Sequence, residues 1–264
     1  MVLRRNSQIS QLRKAMKICI VSSDKRYIKV NELLLQKGYD SFICSYENAI
    51  DCDCLLLSVR NELNEDQLTQ LFKRINKKTL VLCGNSKKIK NYFGGRIIDY
   101  GQAEDFLLEN ARLTAEATLP YLYELTGESV MNKKVFVAGY GRIGRFLSQM
   151  LKSMGAIVSS YARRDEVKAL MAREEIAFAE LDDAYKNDIV INTAPAKIFS
   201  QKATENIPKS SYIVDLASAP YGFEDMTRVH IASALPGKYL PNSASAIVFD
   251  TIEKILSENR MEEI

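Results

Sequence analysis

The sequence has no tryptophan and only one histidine, His230. A single imidazole leaves a histidine-based zinc site short of ligands. It also removes the side chain most used for proton transfer near neutral pH, so a glutamate–histidine dehydrogenase dyad is not supported. The five cysteines, Cys19, Cys44, Cys52, Cys54 and Cys83, all fall in the first third, and none forms a C-x-x-C pair. Four of them lie in or beside apolar strand-like runs. They read as buried thiols of a reducing compartment, not as a disulfide or metal framework, and no metal is expected. No apolar run approaches the roughly 20 residues that span a bilayer. The charges nearly cancel, with 36 Lys and Arg against 33 Asp and Glu and a net +3, which is too little to imply nucleic acid. Neither nucleic acid nor membrane is an expected partner, and a cytoplasmic location is. The first sixteen residues carry Arg4, Arg5, Arg13 and Lys14 but lack the apolar core of a secretory signal, and they read as a solvated leader or short helix.

The chain is 47% hydrophobic and 264 residues long, enough for one large or two ordinary domains. Short apolar runs alternate with helical patterns. Strands are expected at 17–21, 42–44, 54–57, 80–83 and 97–98, and again at 134–138, 157–161, 189–192, 212–215 and 229–232. This alternation predicts α/β architecture with two Rossmann-like parallel-sheet domains. The first, residues 1–130, reads as a flavodoxin-like or Rossmann-like substrate domain; the second, residues 131–264, reads as dinucleotide-binding. A long helical pattern at 103–125 links them, and Pro120 should kink or split it. The last helix, from about Ser243 to Leu256, can cross back to the first domain.

The most informative stretch is Val135-Phe-Val-Ala-Gly139-Tyr-Gly141-Arg-Ile-Gly144. An apolar run is followed by glycines at G-x-G-x-x-G spacing and then by helical periodicity, the context in which this motif means dinucleotide binding and not merely a glycine-rich turn. Gly139 permits the tight turn, Gly141 lets the backbone approach a pyrophosphate, and Gly144 lets helix and strand pack closely. The N-terminus of the following helix offers N–H groups and partial positive charge to the phosphates, drawing Tyr140, Arg142 and Ile143 into the candidate site.

At the end of the next strand an acid would select NAD and an arginine would accommodate the 2′-phosphate of NADP. Here the order is Ala162-Arg163-Arg164-Asp165, with the acid last. Guanidinium forks suit phosphate, so the expected cofactor is NADP, with NAD less favoured. Asp165 reads as the N-cap of the next helix. Further strand ends carry Asn192-Thr193-Ala194-Pro195, Asp215-Leu-Ala217-Ser218-Ala-Pro220 and Ala234-Leu-Pro236-Gly237-Lys238, three proline-containing turns that suit a rigid wall beside a nicotinamide. Thr193, Ala194, Pro195, Ala217, Ser218, Pro236 and Gly237 therefore join Ala162, Arg163 and Arg164 as candidate cofactor contacts.

Together with Thr114-Ala115-Glu116 and an Asp24-Lys-Arg26 turn after the first strand, these blocks resemble the A subunit of dipicolinate synthase. The second domain is similar to the NAD(P) domain of D-2-hydroxyacid dehydrogenases. Ser22 and Ser23 stand where that family has two glycines, Ala219 replaces an arginine, and Tyr221 replaces a glycine. The resemblance implies a sporulation oxidoreductase that forms dipicolinate from a dihydrodipicolinate-type precursor in the mother cell of a spore former, alongside a flavoprotein B subunit. The chain is also expected to form homo-oligomers. Candidate contacts for such a dicarboxylate are Arg26, Arg60 and Thr114, and candidate catalytic groups are Ser218, Glu116 and Lys238. Another NADP-dependent 2-hydroxy or keto acid dehydrogenase and a non-catalytic NADP-binding subunit stand as alternatives.

Overall fold

The computed structural model describes residues 16–60 and 62–261. The basic leader containing Arg4, Arg5, Arg13 and Lys14 lies outside the described residues. The chain divides into two units, 1–109 with 241–264, and 110–240.

In the first unit, β1 (Lys17–Val21), β2 (Asp40–Cys44), β3 (Cys54–Leu57), β4 (Leu80–Cys83) and β5 (Ile97–Asp99) form a parallel sheet of order β2-β1-β3-β4-β5, a flavodoxin-like arrangement. Residues alternate faces along each strand. Ile18, Ile20, Leu56 and Leu82 pack against α1 (Arg26–Gln36) through Tyr27, Val30 and Leu34. On the opposite face, Cys19, Val21, Leu55, Val81 and Cys83 pack against Leu68, Leu71 and Phe72 of α2 (Glu65–Phe72) and Ile89 of α3 (Ser86–Ile89). The two thiols thus fill core volume in place of aliphatic side chains, and all five cysteines are outside disulfides.

The second unit holds β6 (Lys134–Ala138), α5 (Arg142–Ser153), β7 (Ile157–Tyr161), α6 (Asp165–Arg173), β8 (Ala177–Phe178), β9 (Ile189–Asn192), α7 (Gln201–Asn206), β10 (Tyr212–Asp215), β11 (Val229–Ile231) and α8 (Leu235–Tyr239). Its sheet order is β8-β7-β6-β9-β10-β11. Counted within the unit this is 3-2-1-4-5-6, the doubly wound dinucleotide-binding order. Val135, Val137, Ile189 and Ile191 face one core with Leu147 and Leu151 of α5, and Phe136, Ala138 and Val190 face another with Phe199 and Phe223.

Several expectations need correction. The unit boundary lies at 109/110, inside a helix, not near 130. The cause is α4 (Glu104–Thr126): Phe106 enters the core of the first unit, while Ala115, Ala117 and Leu122 enter that of the second. Pro120 does not split α4, which runs unbroken through it. An interior proline costs about 3 kcal/mol, and burial of Ala117 and Leu122 on either side offsets that. The final helix, α9 (Pro241–Met261), is longer than expected and buries Val248, Phe249, Ile252 and Leu256 in the first unit. Residues 235–239 form the short helix α8, not a proline turn. Asp165 is the first residue of α6, with Arg164 at the N-cap, and it pairs with Lys168 at 3.3 Å.

Candidate dinucleotide site

The switch point of the second sheet lies between β6 and β9, where ligands of such folds bind beyond the carboxyl ends of the strands. A cavity of about 540 Å³ opens there. Its floor is Gly139, Tyr140 and Gly141 after β6; one wall is Tyr161, Ala162, Arg163, Arg164 and Val167; the other is Ala194, Pro195, Ala196 and Ile198.

The three glycines have separate duties. Gly139 has φ +102, a left-handed conformation that side chains resist. A Cβ on Gly144 would overlap the Gly139 carbonyl oxygen and lie 2.9 Å from Thr193 Oγ1, so α5 can approach the turn only without a side chain there. A Cβ on Gly141 would meet nothing within 4 Å. The open space at Gly141, facing the first turn of α5, is what a diphosphate requires, because first-turn N–H groups lack intrahelical acceptors. The residues present therefore fit a dinucleotide. The Ile143 side chain packs against the core, leaving its backbone as the part able to serve a ligand, and Arg142 is exposed at the start of α5.

Tyr140 is buried and packs with Ala162, Met171 and Ile176. Its hydroxyl donates to Glu174 Oε2 at 2.7 Å. Glu174 follows α6 and also accepts from Arg145 Nε at 3.1 Å, from Arg145 Nη2, and from Gln149 Nε2 at 2.9 Å. The Arg145 guanidinium holds the Glu174 carboxyl below the usual carboxylate range. Burial, followed by the hydrogen bond to Glu174, pushes the Tyr140 phenol well up. Arg163 and Arg164 are exposed on the rim, and neither has an acidic partner among the described residues.

Two strand-end side chains shape the remaining turns. Asp215, fully buried at the end of β10, accepts from Asn192 Nδ2 (3.0 Å), Ala217 N (2.9 Å) and Gly222 N (2.7 Å). Asn192, fully buried at the end of β9, clamps Ala194 by accepting from its N–H and donating to its carbonyl. The 217–222 turn contains a cis Ala219–Pro220 bond, and Tyr221 has φ +63, so a backbone suited to glycine persists under a tyrosine.

Other predicted residues lie elsewhere. The Thr193 hydroxyl donates to the carbonyls of Ala138 (3.1 Å) and Gly139 (3.2 Å), so it braces the glycine turn from behind and does not face the cavity. Ala217, Ser218, Pro236 and Gly237 do not line the cavity. Ser218 is exposed. Glu116 pairs with Arg112 at 3.0 Å, one helical turn away. Lys238 lies in α8 and binds Glu124 at 3.1 Å and the Tyr239 hydroxyl at 2.7 Å. Glu116 and Lys238 thus each have an ion partner outside the candidate catalytic set. The Thr114 hydroxyl is turned back onto the Asn110 carbonyl at 2.7 Å. In the first unit, Arg26 is held bidentately by Asp24, with Nε–Oδ1 at 3.1 Å and Nη2–Oδ2 at 2.5 Å, and Arg60 is exposed. His230 lies within edge strand β11 and is exposed.

Glu174 escaped the sequence reading because nothing marks a partner 34 residues from Tyr140. Asn192 and Asp215 did leave a signal, each being the polar end of an otherwise apolar strand.

The doubly wound sheet, the glycine turn and the cavity define a dinucleotide-binding unit. Residues 110–222 match the NAD binding domain of D-isomer specific 2-hydroxyacid dehydrogenases, which implies a nicotinamide dinucleotide as cofactor. The apo-structure of D-lactate dehydrogenase from Escherichia coli superposes with a TM-score of 0.64 at 12% identity, over 93% of this chain and 97% of that one. The chain resembles the A subunit of dipicolinate synthase over nearly its whole length. The protein of that name from Bacillus subtilis (strain 168) is 22% identical over 291 residues, 94% of this chain and 98% of that protein. The crystal structure of its Bacillus halodurans counterpart has a TM-score of 0.78 at 20% identity and covers 93% of this chain and 98% of its own. Among the described residues no helix is long and apolar enough to cross a membrane.

Proposed function

We propose that this chain is an NADP-dependent oxidoreductase of the same type as the A subunit of dipicolinate synthase, forming dipicolinate from a dihydrodipicolinate-type precursor during sporulation. The observation that carries the cofactor choice is the pair Arg163 and Arg164. Both line the cavity after β7, neither has an acidic partner among the described residues, and the following acid, Asp165, is turned to Lys168. Two guanidinium groups at that strand end favour a 2′-phosphate over a bare ribose hydroxyl. A nicotinamide bound to this unit would supply the hydride acceptor. The glycine turn and the first turn of α5 would hold the diphosphate, and Ala194 and Pro195 would bound the cavity on the β9 side. Cytoplasmic action in a spore-forming mother cell, homo-oligomerisation and cooperation with a flavoprotein B subunit belong to the same proposal. Titration of the purified chain with NADPH and NADH tests the cofactor, and tighter NADH binding would overturn it. Dipicolinate formation, assayed with and without a flavoprotein partner, tests the reaction.

A second reading, a non-catalytic NADP-binding subunit, has a specific observation in its favour. Glu116 and Lys238 are both committed to ion pairs, and Ser218 is exposed. NADPH binding without dipicolinate formation in either assay would favour that reading.

A further inference from the structure

We propose that Glu174 is a positioning residue for the dinucleotide: through the Tyr140 hydroxyl it fixes the glycine turn that receives the diphosphate. The inference rests on the dinucleotide reading above and adds a residue that lies outside the cavity lining and outside the glycine motif. Tyr140 occupies the variable position between Gly139 and Gly141, so whatever holds its side chain holds the backbone on both sides. Its ring is buried against Ala162 and Met171, and its only polar side-chain atom is bound by Glu174 at 2.7 Å. The same carboxylate accepts from Arg145 and Gln149, which stand one turn apart on α5. One side chain therefore ties together the glycine turn, the helix whose N-terminus faces the cavity, and the end of α6. It also occupies Arg145, which leaves Arg163 and Arg164 as the guanidinium groups lining the cavity. Preorganised N–H donors gain their advantage from not having to be ordered when the ligand arrives, so loosening the turn should weaken every diphosphate-bearing ligand alike.

The test compares the full chain with Tyr140→Phe and Glu174→Gln, titrated calorimetrically with NADPH, NADH and adenosine 2′-monophosphate, which lacks the diphosphate. Tyr140→Phe keeps the ring and its packing, and Glu174→Gln keeps the shape and an acceptor, so both variants should fold. The expected result is a loss of about 5- to 20-fold in affinity for NADPH and for NADH by the same factor, with adenosine 2′-monophosphate changed less than twofold. The double variant should lose no more than the worse single one, because the two residues act as a unit. Unchanged NADPH affinity in both variants overturns the proposal. So does an equal loss for all three ligands, which would mark a merely structural role. If the unaltered chain binds neither NADPH nor NADH, the dinucleotide reading itself fails and this inference falls with it.

Discussion

Asn192 Nδ2 donates to Asp215 Oδ1 at 3.0 Å, linking the last residues of two neighbouring strands that are also register partners. Both side chains are fully buried. The pair controls the two turns that follow, because Asn192 clamps Ala194 and Asp215 accepts the amides of Ala217 and Gly222. Gly222 is packed so tightly that a Cβ on it would overlap the Asn192 amide. Removing the carboxylate strands three donors in a dry environment, at about 1–3 kcal/mol for each group left unsatisfied. Asp215→Ala should therefore destabilise the second unit by about 3 kcal/mol or more, and Asn192→Ala by about 1–3 kcal/mol. Chemical denaturation of each variant checks this. A double variant that costs less than the sum would confirm that the two act through a common contact.

Two glycines of one motif should respond in opposite ways to the same methyl group. Gly144→Ala places a Cβ into the Gly139 carbonyl oxygen, and neither backbone can yield without moving helix or strand. Overpacking of this kind costs about 1–3 kcal/mol or more, so the melting temperature should fall. Gly141→Ala meets open space, and Gly141 has an ordinary negative φ of −82. Its stability should stay within about 0.5 kcal/mol of the parent chain, while NADPH affinity falls because the methyl occupies space a diphosphate needs. Calorimetric melting together with NADPH titration separates the two effects.

That split explains how much of the site is legible in the sequence. Strand, glycine spacing and helix are local, so β6, α5 and the duties of Gly139, Gly141 and Gly144 can be read directly. The alternating strand and helix periods likewise point to two parallel sheets. The boundary at 109/110 is not legible, because α4 is one continuous helix whose two ends enter different cores. A reading that expects Pro120 to kink or split the helix looks for a break that α4 does not contain. Side-chain assignments fare worse where a nearer partner intervenes. Thr114 bonds its own helix, Glu116 takes Arg112, Lys238 takes Glu124 and Arg26 takes Asp24. Each pairing depends on rotamers and neighbours that spacing alone does not specify.

Arg163 and Arg164 make the cofactor choice testable at single-residue level. A charge-assisted hydrogen bond to phosphate contributes about 1.5–3 kcal/mol, which is roughly a 10- to 100-fold difference in affinity. Replacing either arginine that contacts the 2′-phosphate by alanine should weaken NADPH by that factor and leave NADH nearly unchanged. The Arg163→Ala/Arg164→Ala double variant should bind the two cofactors about equally. Equal losses for NADPH and NADH in the single variants would mean that the guanidinium groups act only as a diffuse positive field.

The Asp24–Arg26 pair predicts a pH dependence confined to the acid limb. Burial alone would raise the Asp24 carboxyl, but the Arg26 guanidinium, with a smaller contribution from Arg60, outweighs it and holds the group below its ordinary value. A carboxyl whose folded pKa is depressed adds stability that is fully present above the unfolded value of about 3.9. That stability disappears as pH falls through the folded pKa. Both side chains are mostly buried, at 15% exposure for Arg26 and 22% for Asp24, so the pair is less screened than a surface ion pair. Asp24→Asn should lower stability by about 1–2 kcal/mol at neutral pH. The gap between the two proteins should stay constant from pH 7 to about pH 5 and then narrow below about pH 4. Urea midpoints measured across that range decide it: a gap that persists undiminished at the lowest pH would mean that the asparagine is disfavoured for reasons of shape and not charge.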